Sequence, residues 1–289
     1  MKNKNGIIIL YILIIIEIII LLNSNVVVKS ILATCKLFFY NIFPTLFPTM
    51  VISNILVKQG VERIIPNFIK KMFKIFFNLD EYKTSIFITS IFTGTPTNAL
   101  IINEALKSNR IKDEEADKLI LSTHYINPLF IINVIGVNIF NSALIGALLY
   151  VILIIENLFK LYLNKNVFTK SNVTNNVSED FITSFKLSVK LALDALVMIL
   201  GLIIIFNLLL SLINDIFVLP NILSVLLSGL LEVTTGIIGL SSTNLSNILK
   251  FILSYIFINF GGLCIHVQVI SIFKNKKISY LKYLIYRIF

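Results

Sequence analysis

Long apolar stretches are the feature of this chain that most restricts its fold. Most of them are about 17–25 residues long, the length at which a helix crosses ~30 Å of hydrocarbon. They do not alternate apolar and polar residues as a membrane β-strand does. The sequence therefore predicts an all-α polytopic membrane protein. The stretches form eight blocks: 6–22, 31–57, 84–106, 119–140, 142–159, 191–213, 222–240 and 251–273.

The composition excludes two broad classes of protein. Of the 289 residues, 57% are hydrophobic and only 14% are charged, whereas a soluble domain has about 45–50% apolar and roughly 25% charged residues. A soluble enzyme and a disordered chain are both excluded. The net charge of +10 fits cytoplasmic loops of a membrane protein. No nucleic-acid partner is predicted, since no basic helix carries interleaved exposed aromatics.

The basic residues predict a topology. All but three of the 25 lysines and arginines lie near the N-terminus or in the polar segments 58–83, 107–118, 160–190 and 274–289. The positive-inside rule puts these segments in the cytoplasm. This requires blocks 84–106 and 222–240 to be re-entrant hairpins, and it makes both termini cytoplasmic. Block 6–22 is predicted as an uncleaved transmembrane helix running outward, and block 31–57 as a span returning inward.

The order of the blocks repeats along the chain. Spanning helix, hairpin and spanning helix occur in 31–140 and again, inverted, in 191–273, because block 142–159 crosses between them. Inverted repeats with breaks at matching places indicate a secondary transporter with a site near the membrane midplane. The predicted regions are an N-terminal transmembrane helix (1–25), a first repeat with the connecting span (26–163), a polar cytoplasmic linker (164–180) and a second repeat with a basic tail (181–289).

The first candidate site is the break in block 84–106, formed by Thr93, Gly94, Thr95, Pro96 and Asn98. A hairpin tip exposes unpaired N–H groups at the start of its second half-helix, which favour an anion such as a carboxylate. The threonine and asparagine side chains add polar partners. The alternative is a plain kink in which the threonine hydroxyls bond to their own helix.

The second candidate is Asn127, next to Pro128 within block 119–140. Pro128 leaves the carbonyl of residue 124 without its helical donor, and such a carbonyl can face a cavity. His124 itself is interpreted as a hydrogen-bonded packing residue.

The third candidate is Glu232, with Thr235 and Gly236. An ionisable group within a membrane segment is a functional hypothesis by default. Glu232 could bind a proton, pair with a coupling ion such as H+ or Na+, or touch the substrate. The alternative is a protonated glutamic acid bonded to a neighbouring helix.

The fourth candidate consists of Gly262, His266 and Gln268 in block 251–273. The adjacent glycines 261 and 262 loosen a helix and allow close backbone approach, and His266 and Gln268 suit polar ligands. Close packing at the glycines and a satisfied buried histidine form the alternative.

Several chemistries lack a signature in this sequence. There is no P-loop, dinucleotide fingerprint or nucleophile motif, and the two cysteines do not form a CxxC pair. We therefore predict neither enzymatic activity nor a cofactor or metal. The acidic run from Asp113 to Asp117 is interpreted as a helix start, where carboxylates favour the dipole.

Five stretches at these same places resemble the sporulation integral membrane protein family of endospore-forming bacteria. The resemblance covers about residues 26–289 and implies two nucleoside-recognition Gate domains. The family usually has an aromatic residue at Thr95, glycine at Asn98 and a small polar residue at His124, so this chain departs from it near the predicted substrate. The matching stretches are 41–48, 94–96, 127–131, 229–236 and 260–268.

The resemblance implies a function. Gate domains are similar to the core of concentrative nucleoside transporters, and members of the sporulation family are implicated in moving dipicolinic acid from mother cell to forespore. The chain is thus expected to transport a small anion, with dipicolinate suspected, in the cell or forespore membrane. A nucleoside or other small-solute transporter and a non-transporting sporulation scaffold remain alternatives. The coupling ion, the direction of transport and a homo-oligomeric state stay open.

Overall fold

The computed structural model describes residues 2–169, 180–273 and 279–288. These ranges are helical with no strand, which confirms the all-α prediction. Helices long and apolar enough to span a bilayer are Ser24–Lys58, Ala143–Leu163, Phe181–Phe217 and Asn247–Ile272 within the described chain. The chain is therefore an integral, multi-pass membrane protein.

The N-terminal helix α1 (Lys2–Leu22) continues into α2 (Ser24–Leu37) without a loop. The backbone N–H of Asn23 donates to the carbonyl of Ile19, and that of Val27 donates to Asn23, both at 3.1 Å. No turn reverses the chain here, as the predicted opposite directions of blocks 6–22 and 31–57 would require. The predicted opposite directions of blocks 6–22 and 31–57 are therefore wrong, because the helical hydrogen bonds run through Asn23, and the side of the membrane on which α1 begins stays a prediction.

The rest of the first half contains the first predicted hairpin. The chain reaches it through a π-helical segment, Phe38–Ile42, then α3 (Phe43–Lys58) and the amphipathic α4 (Asn67–Phe77). The hairpin itself is α5 (Glu81–Thr93) and α6 (Thr97–Lys107). The Arg110 guanidinium carbon lies 4.6 Å from the centre of the Tyr82 ring. The two ends of the hairpin therefore meet, as a re-entrant arrangement requires.

The second predicted hairpin is α12 (Asn221–Leu231) and α13 (Val233–Ser241). Its ends also meet, because the Asn221 amide donates to the carbonyl of Ser242 at 3.3 Å. Gly236 packs directly on the backbone of Gly229, since a Cβ atom at Gly236 would collide with it, and a Cβ atom at Gly229 would collide with the Phe257 ring. Small residues allow the two half-helices this close approach.

The two hairpins approach the centre from opposite ends of the molecule. The base of the first lies beside the end of α3, where Lys58 pairs with Glu104 at 3.5 Å. The start of α11 (Phe181–Phe217) lies at that same end, since Gln59 donates to Ser184 at 2.9 Å. The 37 residues of α11 extend about 55 Å at 1.5 Å per residue, and α12 follows its far end. This arrangement is the inverted repeat.

The third member of each repeat is an interrupted helix. Block 119–140 is not the single span that was predicted: α7 (Asp113–Ser122) ends before residues 123–127, and helix resumes with α8 (Pro128–Phe130). The Asn127 side chain caps the new helix by accepting from the N–H of Leu129 at 2.9 Å. Beyond α8 the chain continues through a π-helical segment, Ile131–Val137, and α9 (Asn138–Phe140).

In the second repeat, α14 (Asn247–Phe260) and α15 (Gly262–Ile272) meet at a break. Gly261 and Gly262 have positive φ angles of 84° and 67°, which glycine adopts without steric strain. The predicted loosening of the helix at these glycines is confirmed.

Between the repeats, α10 (Ala143–Leu163) is the predicted connecting span. The last part of the polar segment 160–190 is helical, because α11 begins at Phe181. Most of the predicted linker, residues 170–179, lies outside the described residues. The last helix, α16 (Tyr280–Ile288), packs against α7 and α14.

Candidate functional site

The tip of the first hairpin is held against the break in the first interrupted helix. The N–H of Thr95 donates to the carbonyl of Tyr125 at 2.6 Å. A Cβ atom at Gly94 would lie 2.7 Å from the backbone nitrogen of Asn127. Only glycine permits this backbone approach, so Gly94 positions the tip and binds nothing through a side chain.

The second hairpin repeats this contact. A Cβ atom at Gly262 would lie 3.0 Å from the nitrogen of Val233 and 3.2 Å from the carbonyl of Leu231. The two breaks touch each other as well, since a Cβ atom at Gly261 would lie 2.9 Å from Cε1 of His124. Both tips and both breaks therefore converge on one place inside the protein.

A cavity of about 60 Å³ lies at this convergence. Its apolar walls come mainly from α11, α15 and the π-helical segment before α3, through residues such as Ile199, Ile265 and Ile42. Its polar lining comes from the two hairpin tips, the first break, α3 and α15. The polar lining residues are Thr45, Thr95, Asn127, Glu232, Thr234 and Gln268.

The structure brings part of the predicted set to this cavity. Thr95, Pro96, Asn127, Glu232 and Gln268 line it. The other predicted residues lie behind the lining and hold it in place, or lie farther away. They are Thr93, Gly94, Asn98, Thr235, Gly236, Gly262 and His266.

Behind the first tip, two predicted residues bond within the protein. The Thr93 hydroxyl donates to the carbonyl of Thr89 at 3.2 Å, which is the alternative of a threonine bonded to its own helix. The Asn98 amide donates to the carbonyl and the hydroxyl of Thr123, at 2.5 and 3.0 Å. Asn98 thus ties α6 to the first break.

The first turn of α6 has no side-chain cap, and it begins next to the cavity. Its preceding residue, Pro96, offers no side-chain cap, and Pro96 and Thr95 both line the cavity. The N–H of Asn98 donates back to the carbonyl of Gly94 at 3.1 Å, and the first turn as a whole carries partial positive charge. This tip therefore presents an anion-compatible wall.

Asn127 connects three parts of the site. Besides capping α8, its amide donates to the Thr45 carbonyl at 3.2 Å and to the Thr49 hydroxyl at 3.1 Å. Its side chain thus fixes the first break against α3 while lining the cavity.

Glu232 occupies the helix N-terminus of the second tip. Its carboxylate accepts from the N–H groups of Thr234 and Thr235, at 3.0 and 2.7 Å. Glu232 is 2% exposed, and no described lysine, arginine or histidine forms an ion pair with it. The two hairpin tips are therefore unlike, because one is capped by its own carboxylate and the other is uncapped.

Of the remaining predicted pair, Gln268 and His266 lie on different sides of α15. Gln268 faces the cavity and donates to the Cys264 sulfur at 3.3 Å. His266 Nε2 lies 2.8 Å from the carbonyl of Phe260, and its ring contacts Tyr280 and Tyr283 of α16. The structure therefore does not bring His266 to the cavity.

Sequence reasoning missed several polar residues around the site. Thr45 lines the cavity, and Asn207 bonds to Thr235 behind it. A lone asparagine inside the apolar block 191–213 was the available signal for Asn207. In α10, Glu156 and Lys160 form an ion pair next to the first break; both were readable as charges at the end of an apolar block.

The fold and its site define the class: a multi-pass, all-α membrane protein whose two helical hairpins enclose a small cavity between inverted repeats. The chain is 24% identical to the sporulation integral membrane protein YlbJ of Bacillus subtilis (strain 168), in an alignment of 287 residues covering 86% of this chain and 70% of YlbJ. This similarity supports the predicted family of YlbJ-like proteins.

The finer prediction of two Gate domains is not tested by that alignment. No family model matches the chain. No solved structure matches it either.

Proposed function

We propose that this protein is a secondary transporter that moves a small organic anion across a membrane during sporulation, with dipicolinate as the leading substrate. The observation that carries the proposal is the cavity where two hairpin tips and two helix breaks converge. Broken helices around a central cavity are the arrangement in which transporters bind substrates near the midplane. The role in sporulation rests on similarity to YlbJ.

The chemistry of the cavity supports an aromatic carboxylate. Side chains such as Ile199 and Ile265 provide apolar walls that suit a flat ring. The uncapped first turn of α6, with the Thr95 hydroxyl beside it, offers donors to a carboxylate. Gln268, on α15, supplies a further amide.

The direct test is uptake of radiolabelled dipicolinate into proteoliposomes that contain the purified protein. Gln268→Leu removes a donor or acceptor from the cavity and disturbs only one weak contact, to Cys264. If Gln268 bonds to the carboxylate, we expect initial uptake at low substrate to fall about tenfold or more, since a hydrogen bond to a charged group contributes ~1.5–3 kcal/mol.

The matched control is Val267→Leu. Val267 is the neighbouring residue on α15 and is 40% exposed on the outer face, so its replacement should leave uptake unchanged. Saturable uptake that Gln268→Leu lowers and Val267→Leu does not would support the proposal. Wild-type protein that is folded but takes up no dipicolinate under any ion gradient would contradict it.

Two rival functions give different results in the same system. A nucleoside transporter would show dipicolinate uptake abolished by competing nucleosides, or nucleoside uptake alone. A scaffold would support sporulation equally well as wild type and as Gln268→Leu. Gly94→Leu is unsuitable for this comparison, because any side chain there would collide with the backbone of Asn127.

A further inference from the structure

The short helix α4 has three faces of different chemistry. At about 100° per residue, Ile69, Phe73 and Phe77 share one side of the helix. Phe73 is buried, and its ring centre lies 5.5 Å from that of Phe87 in α5. This face holds α4 on the protein, and the other two faces point away from it.

The second face of α4 is apolar and exposed. Phe68 is 73% exposed and Ile75 is 65% exposed. An exposed apolar surface of this kind marks a contact with another apolar phase. The large apolar side chains of this face, including one just before the helix, are Ile64, Phe68, Met72, Ile75 and Phe76.

The third face is basic. Lys71 and Lys74 are exposed, and they follow one edge of the apolar face. Within the described chain neither of them forms an ion pair, whereas Lys70 pairs with Glu81 at 2.8 Å. Two ammonium groups therefore lie beside the apolar face with no carboxylate to neutralise them.

The end of α4 lies at the end of a membrane span. Asn78, which follows the helix, donates from its side-chain amide to the carbonyl of Phe168 at 2.7 Å. Phe168 comes shortly after Leu163, the last residue of the span α10. The helix also packs against α10, whose exposed Ile155 and Phe159 form an apolar exterior. This position is the level at which hydrocarbon gives way to lipid head groups.

We propose that α4 is a binding surface for anionic phospholipids of the bilayer that surrounds the protein. Its apolar face lies among the acyl chains, while Lys71 and Lys74 contact the phosphate groups. A helix with an apolar face and lysines beside it binds an anionic membrane surface more strongly than a neutral one. The arrangement of the three faces provides this contact without any movement of the protein.

Lipid bound at this surface would stabilise the base of the first hairpin. Phe73 connects α4 to Phe87 of α5, and Lys70 connects it to Glu81 at the start of α5. The inference goes beyond the proposed transport and holds whatever the substrate is.

The test uses tryptophan fluorescence. The chain contains no tryptophan, so Phe68→Trp places a single fluorophore on the apolar face of α4. The purified full-length variant is reconstituted in phosphatidylcholine vesicles that contain increasing fractions of either phosphatidylglycerol or phosphatidylcholine with brominated acyl chains, which quench tryptophan on contact.

We expect half of the maximal quenching at a mole fraction at least about fivefold lower for brominated phosphatidylglycerol than for brominated phosphatidylcholine, since one lysine near an anionic surface contributes about that factor. The difference should shrink at high salt, because salt screens the attraction.

Paired substitutions test the role of the lysines. In the Phe68→Trp protein, Lys71→Gln with Lys74→Gln should abolish the difference between the two lipids and leave quenching by brominated phosphatidylcholine in place. The matched control is Lys107→Gln with Lys112→Gln, which removes the same charge from two exposed lysines. The described segment that contains them has no exposed large apolar side chain, so this control should keep the difference.

A second fluorophore position calibrates the measurement. Leu144 is 81% exposed at the start of α10, at the opposite end of that span from α4. In a separate protein, Leu144→Trp should be quenched equally by the two brominated lipids.

Three results would overturn the proposal. If neither lipid quenches Phe68→Trp while both quench Leu144→Trp, α4 does not contact the bilayer. If the two lipids quench Phe68→Trp equally, the surface does not select anionic lipids. If the difference survives the loss of Lys71 and Lys74, or is lost equally in the control pair, these two lysines do not form the site.

Discussion

Gly201 and Gly262 show how much the surroundings of a residue decide its role. Gly201 lies within α11, and a Cβ atom added there would meet nothing within 4 Å. Gly262 lies at the second break with a φ of +67°, and its Cβ would approach the backbone of the second hairpin tip to 3.0 Å. One glycine is replaceable and the other is required by the geometry of the site.

Replacement of each glycine by alanine therefore has opposite expected effects. Gly262→Ala should lower the melting temperature, because alanine would have to adopt a left-handed backbone and contact Val233. This strain costs ~1–3 kcal/mol of stability. Gly201→Ala should leave stability unchanged or raise it by up to about 1 kcal/mol through helix propensity. The loss of helical circular dichroism on heating measures both, since the chain has no tryptophan.

Equal stability of the two variants would contradict the positioning role of the second break. Gly262→Ala should also reduce uptake if the tip shifts, while Gly201→Ala should not.

At the scale of elements, a buried ion pair joins the first hairpin to the first interrupted helix. Lys83 of α5 and Glu115 of α7 are 0% and 2% exposed, and their charged atoms lie 3.2 Å apart. Lys83 also pairs with Asp80 at 2.7 Å. Glu115 accepts from the N–H of Thr169 at 2.8 Å. Two elements and the start of the linker therefore meet at one charged cluster.

Lys83→Met should destabilise the protein by roughly 3–5 kcal/mol, because it leaves the buried carboxylates without their cation. The double variant Lys83→Met with Glu115→Leu should recover part of that loss, since the uncompensated charge of Glu115 is also removed. Thermal unfolding of the two variants in the same detergent measures the difference.

Lys70→Met is a surface control for this pair. Lys70 bonds to Glu81, whose side chain is 63% exposed, at 2.8 Å, and exposed pairs contribute only about 0–1 kcal/mol. If Lys70→Met lowers the free energy of unfolding as much as Lys83→Met does, burial does not determine how much an ion pair contributes to stability.

At the scale of the whole molecule, the positive-inside rule predicts which face is cytoplasmic. Single cysteines at 171 and 275 should react with a membrane-impermeant maleimide only from the cytoplasmic side. A cysteine at 244 should react only from outside, because Asn244 follows the second hairpin, at the far end of α11. Labelling is done in a variant lacking Cys35 and Cys264, the free cysteines of the chain.

Labelling of position 244 from the cytoplasm would overturn the predicted topology. The hairpin geometry is internal to the protein and would stand, since it rests on the contact between Asn221 and Ser242. The membrane orientation of the repeats would then have to be reversed.

Periodicity and composition were enough to predict the membrane class, both hairpins and the places where helices break, because each is a local property. A bilayer demands long apolar helices, and the breaks fall at Pro96, Pro128 and the pair Gly261–Gly262, residue types that weaken or end a helix. The matching order of breaks in the two halves was also readable from the sequence.

Only the tertiary structure decided which polar residues meet. Thr95, Asn127, Glu232 and Gln268 come together because the hairpins enter from opposite ends and their tips stop at the breaks. His266 faces away from the cavity because α16 packs on its side of α15. Asn207, the one asparagine of the apolar block 191–213, contacts Thr235 through the packing of α11. Contacts between distant residues depend on helix rotation and packing, which local sequence patterns do not specify.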